Sequence, residues 1–208
     1  MRKALAAIGA ALLAAACSTV GVRSGTEEPR FEEIARVGEI EVRRYDDRIA
    51  AETVVEGNSD RARNEGFQRL AGYIFGGNSG RTSIAMTAPV DQSRQIAMTA
   101  PVDQTRLDAG RWSVRFFMPS QYAMDALPVP NDPRVTLEVV PGGTYAVLRF
   151  SGVGSVSAVA EHRAQLLAGL EGSGWVARGE PATWFYDPPW TVPSFRRNEI
   201  AVRVERGP

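Results

Sequence analysis

Twice along this 208-residue chain, runs with the two-residue period of a half-buried strand give way to a helical period and then to strand periodicity again. In the first cycle, alternation at Phe31 and Ile34, at Ile40 and Val42, and from Ile49 to Val55 predicts three short strands, with Gly38 at a turn. Asn58 or Ser59 then caps a helix whose apolar positions Phe67, Leu70, Ala71 and Ile74 fall at helical spacing, and Gly76 and Gly77 stop it. In the second cycle, strands at Val135 to Val140 and Tyr145 to Phe150 flank the turn residues Pro141, Gly142 and Gly143. Val156, Val159, Leu166, Leu167 and Leu170 make a second amphipathic helix closed by Gly172, and strands at Thr183 to Tyr186 and Ile200 to Val204 follow. This order predicts an α+β domain with a pseudo-twofold internal repeat, two helices lying against a curved or barrel-like antiparallel sheet.

Between the cycles, the nine residues IAMTAPVDQ occur twice, at Ile84 to Gln92 and Ile96 to Gln104. Each copy alternates like a half-buried strand closed by a proline, and the residues between Val90 and Ile96 suit a hairpin. In the simplest register Val90 faces Ile96, Ala88 faces Met98, Met86 faces Ala100, and Ile84 faces Val102. Met86 and Met98 then lie over alanines on one apolar face, which suits core packing or the wall of an adaptable pocket. Trp112 to Met118 continues the sheet pattern.

The N-terminus has a different character. Arg2 and Lys3 precede an apolar run from Ala4 to Ala16, too short to span a bilayer, and Cys17, the only cysteine, follows it. Residues 1–16 read as a signal peptide, and Cys17 sits where lipoprotein processing would leave an acylated N-terminus. Residues 17–30 read as a lipidated tether and residues 31–206 as the folded domain. Several acyl chains hold a protein firmly at a bilayer, so the domain is expected in the bacterial envelope, lipid-anchored. Ser18 implies the periplasmic face of the outer membrane if the host has two membranes. With 24 basic and 24 acidic residues in the whole chain, loss of Arg2 and Lys3 leaves a small negative charge, and no footprint for nucleic acid exists.

IAMTAPV, LAGYIFGGN at Leu70 to Asn78, VRFFMPS at Val114 to Ser120, and YDPPWTVPSFRRNE at Tyr186 to Glu199 together resemble the SOUL heme-binding protein family. The resemblance implies a distorted antiparallel β-barrel with two helices, related to bacterial effector-binding domains, and a capacity to bind heme or another tetrapyrrole non-covalently. It also implies a heme surface along the first helix. The places that hold an arginine and two methionines in animal members fall on Asn64, Phe67 and Ala71 here. Arg63 lies near the centre of the Phe67, Leu70 and Ile74 face, where it is either solvated or available to a ligand carboxylate.

The candidate ligand-binding residues are therefore Arg63, Asn64, Phe67, Leu70, Ala71, Ile74, Met86 and Met98. His162, the only histidine, falls on the flank of the second apolar stripe, which argues against a role as an iron ligand. Tyr186 to Glu199 reads as a polar lock at one end of the sheet. Without a nucleophile elbow, metal-ligand spacing or phosphate loop, the chain reads as a carrier or buffer and not an enzyme. The alternatives are a module for another hydrophobic effector and, behind it, a small-molecule hydrolase.

Overall fold

The computed structural model describes residues 27–79, 100–108, 110–188 and 190–208. The elements run β1 (Glu32–Val37), β2 (Ile40–Tyr45), β3 (Arg48–Glu56), α1 (Ser59–Ile74), β4 (Asn78–Ser79), β5 (Val102–Asp108) and β6 (Arg111–Phe117). They continue with β7 (Val129–Pro130), β8 (Thr136–Val140), β9 (Gly143–Phe150), α2 (Val156–Leu170), β10 (Trp175–Phe185) and β11 (Asn198–Arg206). Asn58 caps α1 by accepting from the Arg61 amide at 2.9 Å, and Ser155 caps α2 through the Ala158 amide at 3.3 Å.

Among the described residues, nine strands form one antiparallel sheet in the order β1-β2-β9-β11-β10-β5-β6-β3-β8, and β4 pairs with β7. Its end strands β1 and β8 do not pair, so the expected barrel is instead a curled, open sheet. The curl follows from the connections. β2 and β3 lie toward opposite ends of the order, yet only Asp46 and Asp47 join them, and only Pro141 and Gly142 join β8 to β9. These two links touch where the Gly142 amide donates to Asp47 Oδ1 at 2.7 Å. A Cβ on Gly142 would stand 2.6 Å from the Tyr45 carbonyl oxygen, so glycine is required there. The pseudo-twofold order is present as expected: an axis between β5 and β10 exchanges β3-β6-β5 with β9-β11-β10, and β8 with β2.

Alternation gives the sheet two unlike faces. One is apolar and lies under both helices: Ala51, Val114 and Phe116 meet Leu70 and Ile74 of α1, while Val42, Leu148, Ile200 and Val202 meet Leu166 and Leu170 of α2. Complete burial of Leu70 and Ile74 contributes roughly 2 kcal/mol each. Close approach of α1 depends on Gly66, where a Cβ would fall 2.6 Å from Val114 Cγ2. The opposite face lines the inside of the curl and carries Arg43, Tyr45, Arg48, Asp103, Arg115, Tyr145, Trp184 and Glu199.

Two expectations change. Val156 and Leu167 are exposed, and the inward stripe of α2 is Val159, His162, Leu166 and Leu170. The histidine therefore lies within that stripe and not on its flank. In the duplicated segment, Val102 has Phe116 on one side and Phe185 on the other, so Ile84 is not its strand partner. The Ala100 amide donates instead to the Glu27 carbonyl at 3.0 Å. Pro101 to Gln104 of the second copy thus feed directly into β5, while Met86, Met98 and the first copy lie outside the described residues.

Candidate functional site

The helix face nominated by the sequence divides in two. Leu70 and Ile74 are closed over in the core and present no surface to a ligand. Phe67 is half-buried with its ring 5.3 Å from that of Phe116, Ala71 is half-buried, and Asn64 is exposed. Arg63 points away from this packing, toward the loop before α2. Its Nη1 donates to the Gly154 carbonyl at 3.2 Å, its Nη2 to Asp60 at 3.0 Å, and its guanidinium lies 4.9 Å from the centre of the Phe185 ring. That loop is tied to the next by the Gly152 amide, which donates to the Pro193 carbonyl at 2.9 Å. Around these contacts Val153, Val156, Val192 and Phe195 are all exposed. Arg63 thus contacts one of two linked loops that carry exposed apolar residues, a feature that the helical periodicity did not show.

His162 stacks on Phe150 at 4.2 Å between ring centres, and its Nδ1 lies 2.7 Å from the Ala158 carbonyl oxygen. Both interactions are internal to the α2 side of the core. Cys17 lies outside the described residues. Among those residues no group of three His, Cys, Asp or Glu side chains is placed to hold a metal ion, and no helix is long and apolar enough to cross a membrane.

Within the curl, Glu199 is fully buried and accepts from Arg43 Nη1 at 2.9 Å, Arg43 Nη2 at 3.1 Å, Arg197 Nε at 2.9 Å and the Tyr186 hydroxyl at 2.7 Å. Burial alone would raise the Glu199 carboxyl, but its bonds and charges with Arg43 and Arg197 outweigh that and hold its pKa below the ordinary value. Asp187 accepts from the Arg197 amide at 2.7 Å. The YDPPW and RRNE segments thus close a saturated lock between β2, β11 and the loop before β11, as their composition suggested. Asp187 and Glu199 are both committed to it.

Beside the lock, Arg48, Asp103, Arg115, Tyr145, Trp184 and Arg203 are among the residues that line a cavity of about 160 Å³. Arg48 stacks over Phe117 at 4.4 Å and Tyr45 at 4.6 Å. Its buried Nε and the buried Nε1 of Trp184 have no hydrogen-bond partner among the described residues. Burial lowers the Arg48 pKa. Asp103 accepts from Thr105 at 3.1 Å and lies 3.6 Å from Arg115, yet burial outweighs these favourable contacts and raises its carboxyl above the ordinary value. The sequence reading did not select Arg48 or Trp184. Their signal was their register, since Arg48 alternates with the apolar-face residue Ile49, and Trp184 with Phe185. A second, shallow groove of about 410 Å³ lies on the other face, lined by Ile34, Arg44, Trp175, Val204, Glu205 and Arg206 among others, with Arg206 stacked 4.2 Å over Trp175.

The sequence model for SOUL heme-binding protein matches residues 26–203. No curated protein matches at the sequence level. Among solved structures, the C-terminal domain of EcmrR superposes with a TM-score of 0.59 at 11% identity, covering 80% of this chain and 97% of that one. A hydrolase from Listeria innocua gives 0.57 at 14% identity, covering 83% and 94%. An uncharacterised conserved protein from the same organism gives 0.56 at 13%, covering 88% and 94%. At these identities the likeness is one of fold.

Proposed function

We propose, for a chain that belongs to the SOUL heme-binding protein family, that it binds heme or a related tetrapyrrole non-covalently on the surface around Arg63 and carries or buffers it at a membrane. The observation that carries this reading is the contact of Arg63 with the loop bearing exposed Val153 and Val156, itself tied to the loop bearing exposed Val192 and Phe195. Exposed apolar residues gathered on two linked loops suit a flat apolar ligand, and a guanidinium beside them suits a propionate. The inner cavity, at about 160 Å³, is far smaller than the roughly 300–1,000 Å³ of pockets for drug-sized ligands, so a tetrapyrrole belongs outside the curl.

Asn64 and Ala71 lie seven residues apart on one side of α1, next to the packed Phe67. His162 is engaged by Phe150 and Ala158, so the ligand is held by apolar contact and carboxylate pairing, with micromolar affinity or about −8 kcal/mol. Lipid on Cys17 would hold the domain at the envelope face of a membrane, and the polar residues between Cys17 and Glu27, where the chain is hydrogen-bonded to the domain, would give it reach. Mass spectrometry of the processed protein tests this: a diacylated or triacylated N-terminal cysteine is expected, and an unmodified one refutes the anchor.

Hemin titration of a chain beginning at Ser18, followed by its absorption spectrum, tests the site. A saturable Soret band is expected, weakened about tenfold in Arg63→Met and unchanged in His162→Ala. A tenfold loss with His162→Ala and a changed spin state would overturn the ligation. Loss on Arg206→Met in place of Arg63→Met would move the site to the Trp175 groove.

A further inference from the structure

We propose that the cavity inside the curled sheet is a second binding site, separate from the heme surface, for one small monocarboxylate with a flat apolar body. Arg48 and Trp184 would be its recognising donors.

The argument starts from two unsatisfied groups. Buried polar atoms in folded proteins are nearly always hydrogen-bonded, because each one left unpaired costs about 1–3 kcal/mol. Here two residues that line one small cavity carry such donors: Trp184, only 2% exposed, at Nε1, and Arg48 at Nε. An indole nitrogen only donates, and so does a guanidinium, so the missing partner is an acceptor.

The charged neighbours give its sign. Arg115 is engaged by Glu52 at 3.0 Å and Glu138 at 2.6 Å, Arg178 by Glu205 at 2.9 Å, and Glu180 by Arg163 at 2.6 Å. Arg203 donates to the Gly142 carbonyl at 3.0 Å. Asp103, directly across the ladder from Trp184, is occupied by Thr105 and Arg115. Arg48 has no carboxylate within ion-pair distance among the described residues. Aromatic rings stack around it, but its charge is not neutralised. At Arg48 the unmet need is therefore an acceptor that carries negative charge, and the nearness of Asp103 disfavours a dianion.

Size and walls complete the description. A cavity of about 150 Å³ accommodates benzene, which matches the volume here. Phe117, Tyr145 and Trp184 supply aromatic walls. A benzoate-sized molecule fits both the charge and the space.

The experiment uses the chain beginning at Ser18, labelled with nitrogen-15, and follows the Trp184 indole N–H resonance, assigned from its absence in Trp184→Phe. Sodium benzoate is titrated, with inorganic phosphate and benzylamine as comparison probes. The expected result is a saturable shift of that resonance with benzoate, at least about tenfold weaker in Arg48→Met and partly kept in Arg48→Lys. The remaining resonances report whether each variant is folded, and unchanged hemin binding by Arg48→Met separates this site from the Arg63 surface. No saturable shift at millimolar benzoate, an equal shift in both Arg48 variants and the parent chain, or saturation by benzylamine in preference would overturn the proposal.

Discussion

Two arginine-centred clusters stand side by side on the inner face of the sheet, and they are built on opposite terms. Arg43 is 3% exposed and shares the fully buried Glu199 with Arg197 and Tyr186, and each arginine has a second carboxylate besides, Glu41 at 2.6 Å from Arg43 and Glu28 at 2.9 Å from Arg197. Arg48 is held by ring faces, with one donor unpaired and no matching acid. The two meet at Tyr45, whose hydroxyl accepts from Arg43 Nη1 at 3.3 Å while its ring lies under Arg48. A buried charge with all its partners ties strands together. One without them is a cost to the fold, and that cost falls when a ligand supplies the missing acceptor.

Removing the hub of the lock is the most severe way to probe this contrast. Glu199→Gln removes the one fully buried counter-charge and leaves Arg43 only Glu41 and Arg197 only Glu28, and a loss of about 3 kcal/mol is expected in urea denaturation. A loss below 1 kcal/mol would show that the lock is as dispensable as the cavity. Tyr186→Phe removes one donor to a carboxylate that keeps two arginines, so about 1 kcal/mol is expected by the same measurement. Arg48→Met should change stability by less than about 1 kcal/mol, or raise it, because an unmatched buried charge gives way to apolar volume. Should it destabilise as much as Glu199→Gln, the two clusters are alike and the comparison fails.

The smallest effect is in the pH dependence. Glu199 titrates below its ordinary value in the fold, so its contribution is present at neutral pH and is lost as pH falls through the folded value. Asp103 titrates above its ordinary value, so the folded state takes up its proton first and its contribution grows as pH falls. The stability of the parent chain relative to Asp103→Asn should therefore improve on acidification toward the ordinary carboxylate range. Parallel urea midpoints for the two proteins across that range would contradict the assignment.

The helices and the helix-facing core were legible because their apolar residues recur at fixed periods, and the pairing of two similar cycles already implied the twofold order. Closure was not legible. Whether a sheet closes or stays open depends on which strands meet at its ends, and that is decided by the crossing of the Asp47 and Gly142 links, far apart in sequence. The Phe67 and Leu70 stripe identified a helix face but not its exposed part, since apolar residues that bury themselves and those that receive a ligand follow the same spacing. His162 was misplaced because Val156 and Leu167, both apolar, drew the centre of the stripe away from Leu166 and Leu170. Arg48 and Trp184 escaped notice because an unpaired donor is a property of the assembled sheet.

The feeding of the second IAMTAPVDQ copy into β5 leaves a question of competition between equals. The chain holds two identical PVDQ segments for one place beside β6 and β10, and even the next two residues are similar, Ser93 and Arg94 against Thr105 and Arg106. Inward Asp and outward Val would be the same whichever segment entered, so the slot itself is nearly blind to the choice. What breaks the tie lies downstream. Asp108 faces Arg111 across the tight connection to β6, with Gly110 at φ +88, and only the second copy is near enough to use that turn. Seating the first copy would insert a further repeat length between β5 and β6 and forfeit the Asp108–Arg111 ion pair at that turn. A single glycine corner thus selects between two strands that the sheet cannot tell apart.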